Sequence, residues 1–369
     1  MRFLVITNAP TLHKDDAYHA YAPYVKEMNL WFSKVDKLSI LSPTMYEKPL
    51  LTAPFKRQDI EVISVPFIQL GGISHLTKSI FQVPFIAFKM YAAMKKADHI
   101  HLRCPGNIGL IAAFVQVLFP SKKKTAKYAG NWDPMAKQPW SYRLQKRVLS
   151  NTRLTKNMQV LVYGDWPNQT KNIKSFFTAT YRDSAKAAIR KPKYEAPFRM
   201  LFVGSLAIGK RPLYAIQFIE QCNSSGISCE LDVYGDGAER KKLEAYITQK
   251  ELGALVRLHG NQDASTVQKA YQNSHFIILP SKSEGWPKVI AEAMFWGAIP
   301  LVTPISCVPW MLANGQRGQI LSLNLEADVS AFAKAVSDTT LLTNMSIAGQ
   351  QWSQGYTLDT FEKAIEELI

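Results

Sequence analysis

The chain of 369 residues has only four cysteines and no long hydrophobic run. The cysteines lack the paired spacing of a zinc or redox site, so we expect buried, reduced thiols and a reducing compartment. No stretch of eighteen apolar residues occurs, and the N-terminus begins with a strand-like run instead of a cationic leader. We therefore expect a cytoplasmic protein that does not span a membrane.

Acidic residues are scarce in the first half of the chain. Residues 1–200 hold 31 Lys and Arg against 12 Asp and Glu, a net charge of +19, whereas residues 201–369 carry −4. A basic half suggests contact with phospholipid, nucleic acid or an acidic glycan. We expect peripheral contact with an anionic membrane and no nucleic acid, because no recognisable nucleic-acid-binding module accompanies the charge. The lysine run 122–124 is interpreted as a solvated turn.

Short apolar runs alternate with helical segments through both halves. This pattern predicts the α/β class with parallel sheets, in which ligands bind beyond the carboxyl ends of the strands. Residues 80–94 fit either a core helix or a membrane-surface patch, and we favour the core. In the first half, the predicted strands are 3–7, 37–41, 60–65, 99–102 and 125–128, and the predicted helices are 18–33, 76–96 and 108–118.

Three post-strand loops of the first half carry candidate ligands. Arg103 and Asn107 flank a loop that opens a helix, which fits a phosphate or acceptor site as well as it fits an ordinary turn. His13 lies in the loop after the first strand, and Asn131 and Asp133 follow the strand at 125–128. We expect Arg103, Asn107 and His13 to contact an acceptor or a phosphate.

The stretch LPSKSEGWPKVIAEAMFWG, residues 279–297, combines a strand end, a turn and a helix. Pro287 is the expected first residue of the helix, and Gly297 is expected to end it. The unpaired first-turn N–H groups of such a helix would point at the preceding loop and favour the binding of an anion there. Glu284 and Glu292 would flank this anion-binding position, and carboxylates accept hydrogen bonds from hydroxyls. A ligand with both phosphate and hydroxyls, such as a nucleotide sugar, suits the pattern. Taken singly, either glutamate could instead be a solvated acid, with Lys288 as the partner of Glu292.

The segment SEGWPKVIAEAM resembles the paired-glutamate motif of the large retaining glycosyltransferase family that includes sucrose synthases, phosphatidylinositol mannosyltransferases and many capsule and lipopolysaccharide enzymes. The resemblance implies the GT-B fold: two Rossmann-like domains facing a cleft, with a C-terminal helix that crosses back to the N-terminal domain. It also implies that Glu284 contacts the donor sugar, that Glu292 contacts the ribose, and that the backbone from Gly285 to Val289 contacts the diphosphate. Relatives commonly have glycine where this chain has Pro287.

Two further loops carry the resemblance. Lys210 matches the family's phosphate-binding lysine, and Ser205 stands where many relatives have arginine, for which Arg211 is a substitute. The Gly-Asp-Gly turn from Gly235 borders the nucleotide in relatives, and the strand end at 259–260 lies where they hold the base. The expected donor-binding residues are Gly204, Ser205, Lys210, Arg211, Gly235, His259, Gly260, Glu284, Gly285, Trp286, Pro287, Lys288, Val289 and Glu292.

One residue of the family pattern is absent. Many relatives place a histidine near the strand end at residue 128, and this chain has none there. Asn131 and Asp133 are the substitutes that we would test. The expected catalytic residues are therefore Glu284, Lys210, Asn131 and Asp133.

The predicted domains are an acceptor-binding domain at 1–190, a nucleotide-sugar domain at 191–352 and a returning helix at 353–369, with a linker at 185–198. The resemblance implies retention, and no Asp-x-Asp pair is present, so we expect neither a metal nor a cofactor. The donor would be a UDP- or GDP-sugar. The acceptor would be a glycan, expected to be lipid-linked, in polysaccharide or lipopolysaccharide synthesis at the inner face of the cytoplasmic membrane. A catalytically silent nucleotide-binding scaffold and a nucleotide-sugar epimerase or phosphorylase remain alternatives.

Overall fold

A computed structural model describes residues 1–46, 50–68, 73–189 and 192–369 of the chain. The chain forms two compact units, which we call unit 1 and unit 2. Unit 1 comprises Met1–Phe177 together with Glu362–Ile369, and unit 2 comprises Thr178–Phe361. The division between the units therefore falls before the predicted boundary at residue 190, and the segment 185–198 expected to be a linker belongs to unit 2.

Unit 1 is built on a seven-stranded parallel sheet of order β10-β9-β8-β7-β1-β4-β6. A separate antiparallel sheet of order β2-β3-β5 lies in the same unit. The strands of unit 1 are β1 Arg2–Ile6, β2 Leu12–Lys14, β3 Ala17–Tyr21, β4 Lys37–Ser42, β5 Thr52–Pro54, β6 Ile60–Ser64, β7 His99–Cys104, β8 Lys123–Tyr128, β9 Met158–Tyr163 and β10 Ile173–Phe176.

Four α-helices flank the sheets of unit 1: α1 Ala22–Phe32, α2 Ile73–Lys96, α3 Asn107–Val115 and α4 Trp140–Ser150. The helix predicted at 18–33 is too long at its start, because Ala17–Tyr21 pairs with β2 and β5 as strand β3. Helix α1 begins only at Ala22, where Pro23 occupies a first-turn position that needs no N–H donor.

Helix α2 has two apolar faces. Ile86, Met90 and Met94 are fully buried against the sheet, whereas Phe81 and Phe88 on the opposite face are 83% and 71% exposed. The expectation that residues 80–94 belong to the core is therefore correct for one face and wrong for the other. A helix that is apolar all round can bury only the stripe that faces its own sheet.

Unit 1 also buries lysines. Lys124 is 1% exposed, and its Nζ donates hydrogen bonds to Gln116 O, Gln116 Oε1 and Phe119 O at 3.2, 2.8 and 2.9 Å. Burial lowers the pKa of Lys124 to about 8. The interpretation of 122–124 as a solvated turn is wrong for Lys124, because the pleat of β8 directs its side chain inward.

Unit 2 contains a six-stranded parallel sheet of order β13-β12-β11-β14-β15-β16. Its strands are β11 Phe198–Val203, β12 Cys229–Tyr234, β13 Val256–Gly260, β14 Phe276–Leu279, β15 Ile299–Val302 and β16 Gln319–Ile320. Its helices are α5 Pro212–Ser224, α6 Arg240–Gln249, α7 Ala264–Asn273, α8 Lys288–Phe295, α9 Val308–Met311, α10 Leu325–Val336 and α11 Thr339–Ser353. The last helix, α12 Leu358–Glu366, begins in unit 2, and its final residues belong to unit 1.

All four cysteines are buried and free, which confirms the expectation of buried thiols: Cys104, Cys222, Cys229 and Cys307. Among the described residues, no helix has both the length and the apolar character needed to cross a bilayer.

Candidate functional site

The loops that follow β11, β12 and β13 meet at one edge of the unit 2 sheet. The N–H of Gly204 donates to the carbonyl of Tyr234 at 3.0 Å, and the N–H of Gly235 donates to the carbonyl of Gly260 at 2.8 Å. These bonds join three of the predicted donor-binding loops through their backbones.

The close approach of these loops requires glycine. A Cβ on Gly235 would lie 1.9 Å from the carbonyl oxygen of Gly204, and its φ of +136° disfavours any other residue. At Gly237 a Cβ would lie 2.5 Å from the carbonyl oxygen of Leu206. The Gly-Asp-Gly turn is therefore a packing requirement of the site edge.

The loop after β14 joins the same edge through a side-chain ion pair. Lys210 Nζ donates to Glu284 Oε1, and the two side chains are only 28% and 11% exposed. Beside this pair, Lys282 N donates to Gly209 O at 2.7 Å, and Arg211 Nη1 donates to Pro280 O at 3.2 Å. A cation and a carboxylate that are 74 positions apart in sequence are thus held at one point.

Helix α8 begins directly after this pair. Pro287 is the residue before the helix and not its first residue, with φ −74° and ψ 89°, so the predicted position of Pro287 is wrong by one residue. The first-turn N–H groups at Lys288 and Val289 have no acceptor four residues back within the helix, and they lie beside the loop that carries Glu284. Gly297 follows the helix with φ +84°, which confirms that it ends there.

The loop after β15 supports the turn at Gly285. Ser306 Oγ donates to the carbonyl of Gly285 at 2.9 Å, and Cys307 Sγ lies 3.3 Å from the same oxygen. Sequence reasoning assigned these two residues no role. No local sequence signal connects them with Gly285.

Glu292 is held by two hydroxyl groups. Its Oε1 accepts from Thr180 Oγ1 at 2.6 Å, and its Oε2 accepts from Tyr271 OH at 2.9 Å. Burial and the charge of Glu292 raise the pKa of Tyr271 well above its usual range. The carboxylate therefore binds hydroxyls, in place of the solvated pair with Lys288 that was the alternative from sequence. Both partners were missed, since they lie on separate elements far away in sequence.

Trp286 and His259 differ in what they offer a ligand. The Trp286 ring is 7% exposed and packs with Trp310 and Trp352, at 6.1 Å from each, so its side chain belongs to the core and only its backbone borders the turn. His259 Nε2 lies 2.6 Å from Asp232 Oδ1, and its ring stacks on Tyr234 at 4.5 Å. His259 keeps about a third of its side chain exposed beside the strand end.

Arg103, in unit 1, pairs with a buried carboxylate. Arg103 Nη1 donates to Glu27 Oε1, and the side chains are 12% and 7% exposed. Burial is the largest single effect and acts to lower the pKa of Arg103, but the charge of Glu27, the hydrogen bond to it and the nearby Tyr163 and Tyr24 together raise the pKa above its usual value. Glu27 already balances the charge of this guanidinium. The phosphate contact of Arg103 therefore stays a prediction, because a phosphate would have to displace Glu27 or share Arg103 with it.

The other candidates of unit 1 lie on three different segments of the chain. Asn131 Oδ1 accepts from Asp133 N at 2.8 Å, and Asp133 Oδ1 accepts from Met135 N at 2.8 Å, so both side chains shape the loop after β8. Asn107 Nδ2 donates to Ile68 O at 3.0 Å at the start of α3. His13 lies exposed on β2 of the small antiparallel sheet.

Residues 183–352 match the model of the family described as Glycosyl transferases group 1. The chain carries a group 1 glycosyltransferase domain. This match confirms the glycosyltransferase family that the paired-glutamate motif predicted.

Two curated relatives match parts of the chain. The GtfA subunit of the UDP-N-acetylglucosamine–peptide N-acetylglucosaminyltransferase of Streptococcus parasanguinis is 26% identical over 146 residues, which are 38% of this chain and 28% of that protein. The lipopolysaccharide 1,6-galactosyltransferase of Salmonella typhimurium is 29% identical over 133 residues, which are 35% of this chain and 34% of that protein. The matches thus span about a third or less of these relatives.

A solved structure is similar over nearly the whole chain. Anabaena HepE in complex with UDP aligns with a TM-score of 0.68 at 14% identity, covering 100% of this chain and 99% of that one. At this identity the likeness establishes the fold alone. Together with the two parallel sheets, it confirms the predicted α/β class and the GT-B fold.

Proposed function

We propose that this group 1 glycosyltransferase domain transfers a sugar from a nucleotide-diphosphate sugar to a glycan acceptor, with retention at the anomeric carbon and without a metal ion. The observation that carries the proposal is the Lys210–Glu284 pair, which lies where the strand-end loops meet and where α8 begins. Cations and hydrogen-bond acceptors for hydroxyls are the two kinds of group that such a donor requires.

Lys210 is proposed to bind the diphosphate and to stabilise its growing charge as the sugar leaves. The N-terminus of α8 adds unpaired N–H groups and the positive end of its dipole, and Arg211 adds a second nearby cation. An electrostatic group of this kind typically contributes about 10²- to 10³-fold in turnover. This set could neutralise a leaving diphosphate without a divalent cation.

The two glutamates are proposed to bind hydroxyls of the donor. Glu284 projects from the turn beside Lys210, in position for the sugar next to the diphosphate. Glu292 lies about one turn into α8 and already accepts hydrogen bonds from the hydroxyls of Thr180 and Tyr271. A ribose diol would offer the same kind of donor to this carboxylate.

UDP is the donor nucleotide that we favour. The streptococcal relative is named for UDP-N-acetylglucosamine, and the Anabaena neighbour is described in complex with UDP. We place the base on the stacked rings of His259 and Tyr234.

Retention is proposed to follow a front-face transfer. The bond from the anomeric carbon to the phosphate oxygen breaks while a bond to the acceptor oxygen forms on the same face of the sugar. The proton of the acceptor hydroxyl passes to the leaving phosphate, so no enzyme nucleophile is required. Asn131 and Asp133 are proposed to position the acceptor in place of the family histidine.

The acceptor is proposed to be lipid-linked, as in the synthesis of a surface polysaccharide or lipopolysaccharide. Unit 1 holds 26 Lys and Arg against 13 Asp and Glu, while unit 2 holds 18 against 16. The excess positive charge therefore belongs to the unit that would receive the acceptor, and it would favour an anionic membrane surface at the inner face of the cytoplasmic membrane.

A thermal-shift comparison of the full chain with UDP, GDP, CDP and ADP, each with and without EDTA, tests the donor class. We expect UDP alone to raise the melting temperature, with no effect of EDTA, because a ligand that binds the folded state stabilises it. A shift that disappears with EDTA would contradict metal independence. A shift without turnover on any glycan acceptor would favour the silent scaffold, and a glycosyl-enzyme adduct trapped by mass spectrometry would contradict front-face transfer.

Replacement of Glu292 tests the ribose contact. Glu292→Ala should weaken UDP binding, because it removes the carboxylate that would accept hydrogen bonds from the two ribose hydroxyls. We expect a loss of about tenfold, which is the usual cost of losing a hydrogen bond to a charged group. Glu326→Ala, at an exposed glutamate of α10 in the same unit, should leave the affinity unchanged. Calorimetric titration with UDP measures both, and equal affinities in the two variants would exclude the proposed role of Glu292.

A further inference from the structure

Helix α2 exposes a row of phenylalanine side chains. Phe81, Phe85 and Phe88 are 83%, 51% and 71% exposed, and their spacing of four and three residues places them on one helical face. We call these three residues the phenylalanine face. It lies opposite the buried stripe of the same helix, and about half or more of each ring stays exposed.

The phenylalanine face is as large as the largest apolar patch of a typical monomer. With roughly 200 Å² for a fully exposed phenylalanine, the three rings expose about 400 Å². Patches of a few hundred Å² on a folded protein commonly mark a site of interaction with a protein or a membrane.

Two neighbouring features extend the apolar surface. The ring of Tyr91, on the next turn of α2, is 40% exposed and lies 5.2 Å from the ring of Phe119. On the other side, a cleft of about 420 Å³ is lined in part by Met45, Phe67 and Phe85, and Met45 is 81% exposed. Phe85 thus belongs both to the phenylalanine face and to the wall of this cleft.

The charge around the phenylalanine face is mostly positive, although Glu61 lines a cleft together with Phe88, Lys89 and Lys96. The sequence of α2 contains four lysines and no acidic residue. Lys95 and Lys96 are exposed and follow Phe88 by seven and eight residues, which returns them to the same face. Lys89 Nζ lies 4.7 Å above the Phe85 ring and donates to Ser64 O at 2.8 Å. Lysines of this kind can keep their ammonium groups at a polar surface while their stems follow an apolar one.

We propose that the phenylalanine face of α2 inserts into the boundary between headgroups and acyl chains of an anionic bilayer. A helix that lies in a membrane interface combines aromatic side chains on one face with lysines that meet anionic headgroups. A second copy of the chain would bring the same lysines against one another, so the excess of lysines over Glu61 favours an anionic lipid surface over self-association. The inference rests on the proposed lipid-linked acceptor for its purpose, because it would hold unit 1 at the surface where such an acceptor lies.

Co-sedimentation with vesicles tests the proposal. The full chain is mixed with vesicles of phosphatidylcholine alone or with phosphatidylglycerol added, and the partition coefficient is measured. Phe81→Gln combined with Phe88→Gln should lower binding to the anionic vesicles at least tenfold. Leu51→Gln, at a residue of unit 1 that is 74% exposed but lies outside α2, should change it less than twofold. Lys95→Gln with Lys96→Gln should reduce the preference for phosphatidylglycerol, with the larger effect at low salt.

Three outcomes would overturn this inference: unchanged vesicle binding in the phenylalanine double variant, an equal loss in Leu51→Gln, or a double variant that alters only the oligomeric state. The thermal shift with UDP, measured on every variant, separates the two proposals. Retained UDP binding with lost vesicle binding supports the docking surface. A wild-type chain that binds UDP but no vesicle refutes the docking surface alone, and one that binds vesicles but no nucleotide refutes the proposed function alone.

Discussion

The two units contain similar parallel sheets but place their charged groups differently. In unit 1, Glu27, Arg103 and Lys124 are buried and bind one another or backbone carbonyls. In unit 2, Lys210 and Glu284 pair on loops at the carboxyl edge of the sheet, and their side chains keep 28% and 11% of their surface exposed. The comparison teaches that the same architecture can use charge for internal pairing in one unit and for a proposed donor site in the other.

The difference has a physical basis in burial. A buried charge must find an opposite charge or several hydrogen bonds inside the protein, because its hydration is lost. A loop at the end of a parallel strand keeps part of its side chains at the surface, and the positive end of a following helix adds to its field. We therefore expect mutations in unit 2 to change chemistry and equivalent mutations in unit 1 to change stability.

The largest expected effect is on turnover. Lys210→Ala should lower turnover about 100-fold while it changes UDP affinity less than tenfold, because the charge on the diphosphate grows as the sugar leaves. Lys241→Ala, at an exposed lysine of α6 in the same unit, should retain wild-type rates. Steady-state kinetics and calorimetric titration with UDP separate the two parameters. Wild-type turnover in Lys210→Ala would remove Lys210 from the mechanism.

The second prediction concerns the buried ion pair of unit 1. Glu27→Gln should lower the stability of this unit by about 3 kcal/mol, since it leaves the Arg103 guanidinium buried without a charge partner. Glu366→Gln removes the exposed pair with Lys34 and should change the stability far less, because solvent screens exposed charges. Hydrogen exchange in peptides of unit 1 measures both, and UDP affinity should stay unchanged. A marked loss of UDP affinity in Glu27→Gln would contradict the separation of roles between the units.

The third prediction uses pH. Burial, with a smaller effect of Lys123, lowers the pKa of His99 from 6.5 to about 4, and its Nε2 lies 2.9 Å from Thr125 Oγ1. Between pH 6.5 and pH 4, His99 is therefore protonated in the unfolded chain but not in the folded chain. The contribution of His99 to the free energy of unfolding is complete above pH 6.5 and is lost as the pH falls towards 4. At pH 5 this amounts to about 2 kcal/mol relative to pH 7.

The variant His99→Gln, which stays neutral, should lose about 2 kcal/mol less than the wild type between pH 7 and pH 5. His13→Gln removes an exposed histidine of the same unit and should keep the wild-type loss. Urea titrations followed by hydrogen exchange in unit 1 give these differences. An identical pH dependence in wild type and His99→Gln would show that His99 titrates alike in both states.

Much of the fold was predictable because its signals are local. Alternating apolar strands and helices predicted the parallel sheets, and the stretch 279–297 predicted a strand, a turn and the helix ended by Gly297. Residues 17–21 were misassigned, because their strand pairing with Leu12–Lys14 and Thr52–Pro54 depends on partners outside the segment. The exposed face of α2 was misjudged as well, since a sequence that is apolar on every face does not reveal which face meets the sheet.

The sequence by itself determined the family, the positions of the paired glutamates and the positive charge of the first half. Those features depend on residue identity and short spacing, which a linear pattern preserves. The tertiary structure decided that Lys210 meets Glu284, that Thr180 and Tyr271 hold Glu292, that Arg103 pairs with Glu27, and which glycines the crossing loops require. Those contacts join residues from about 20 to more than 100 positions apart in sequence, and only the packing of strands and helices brings them within hydrogen-bonding distance.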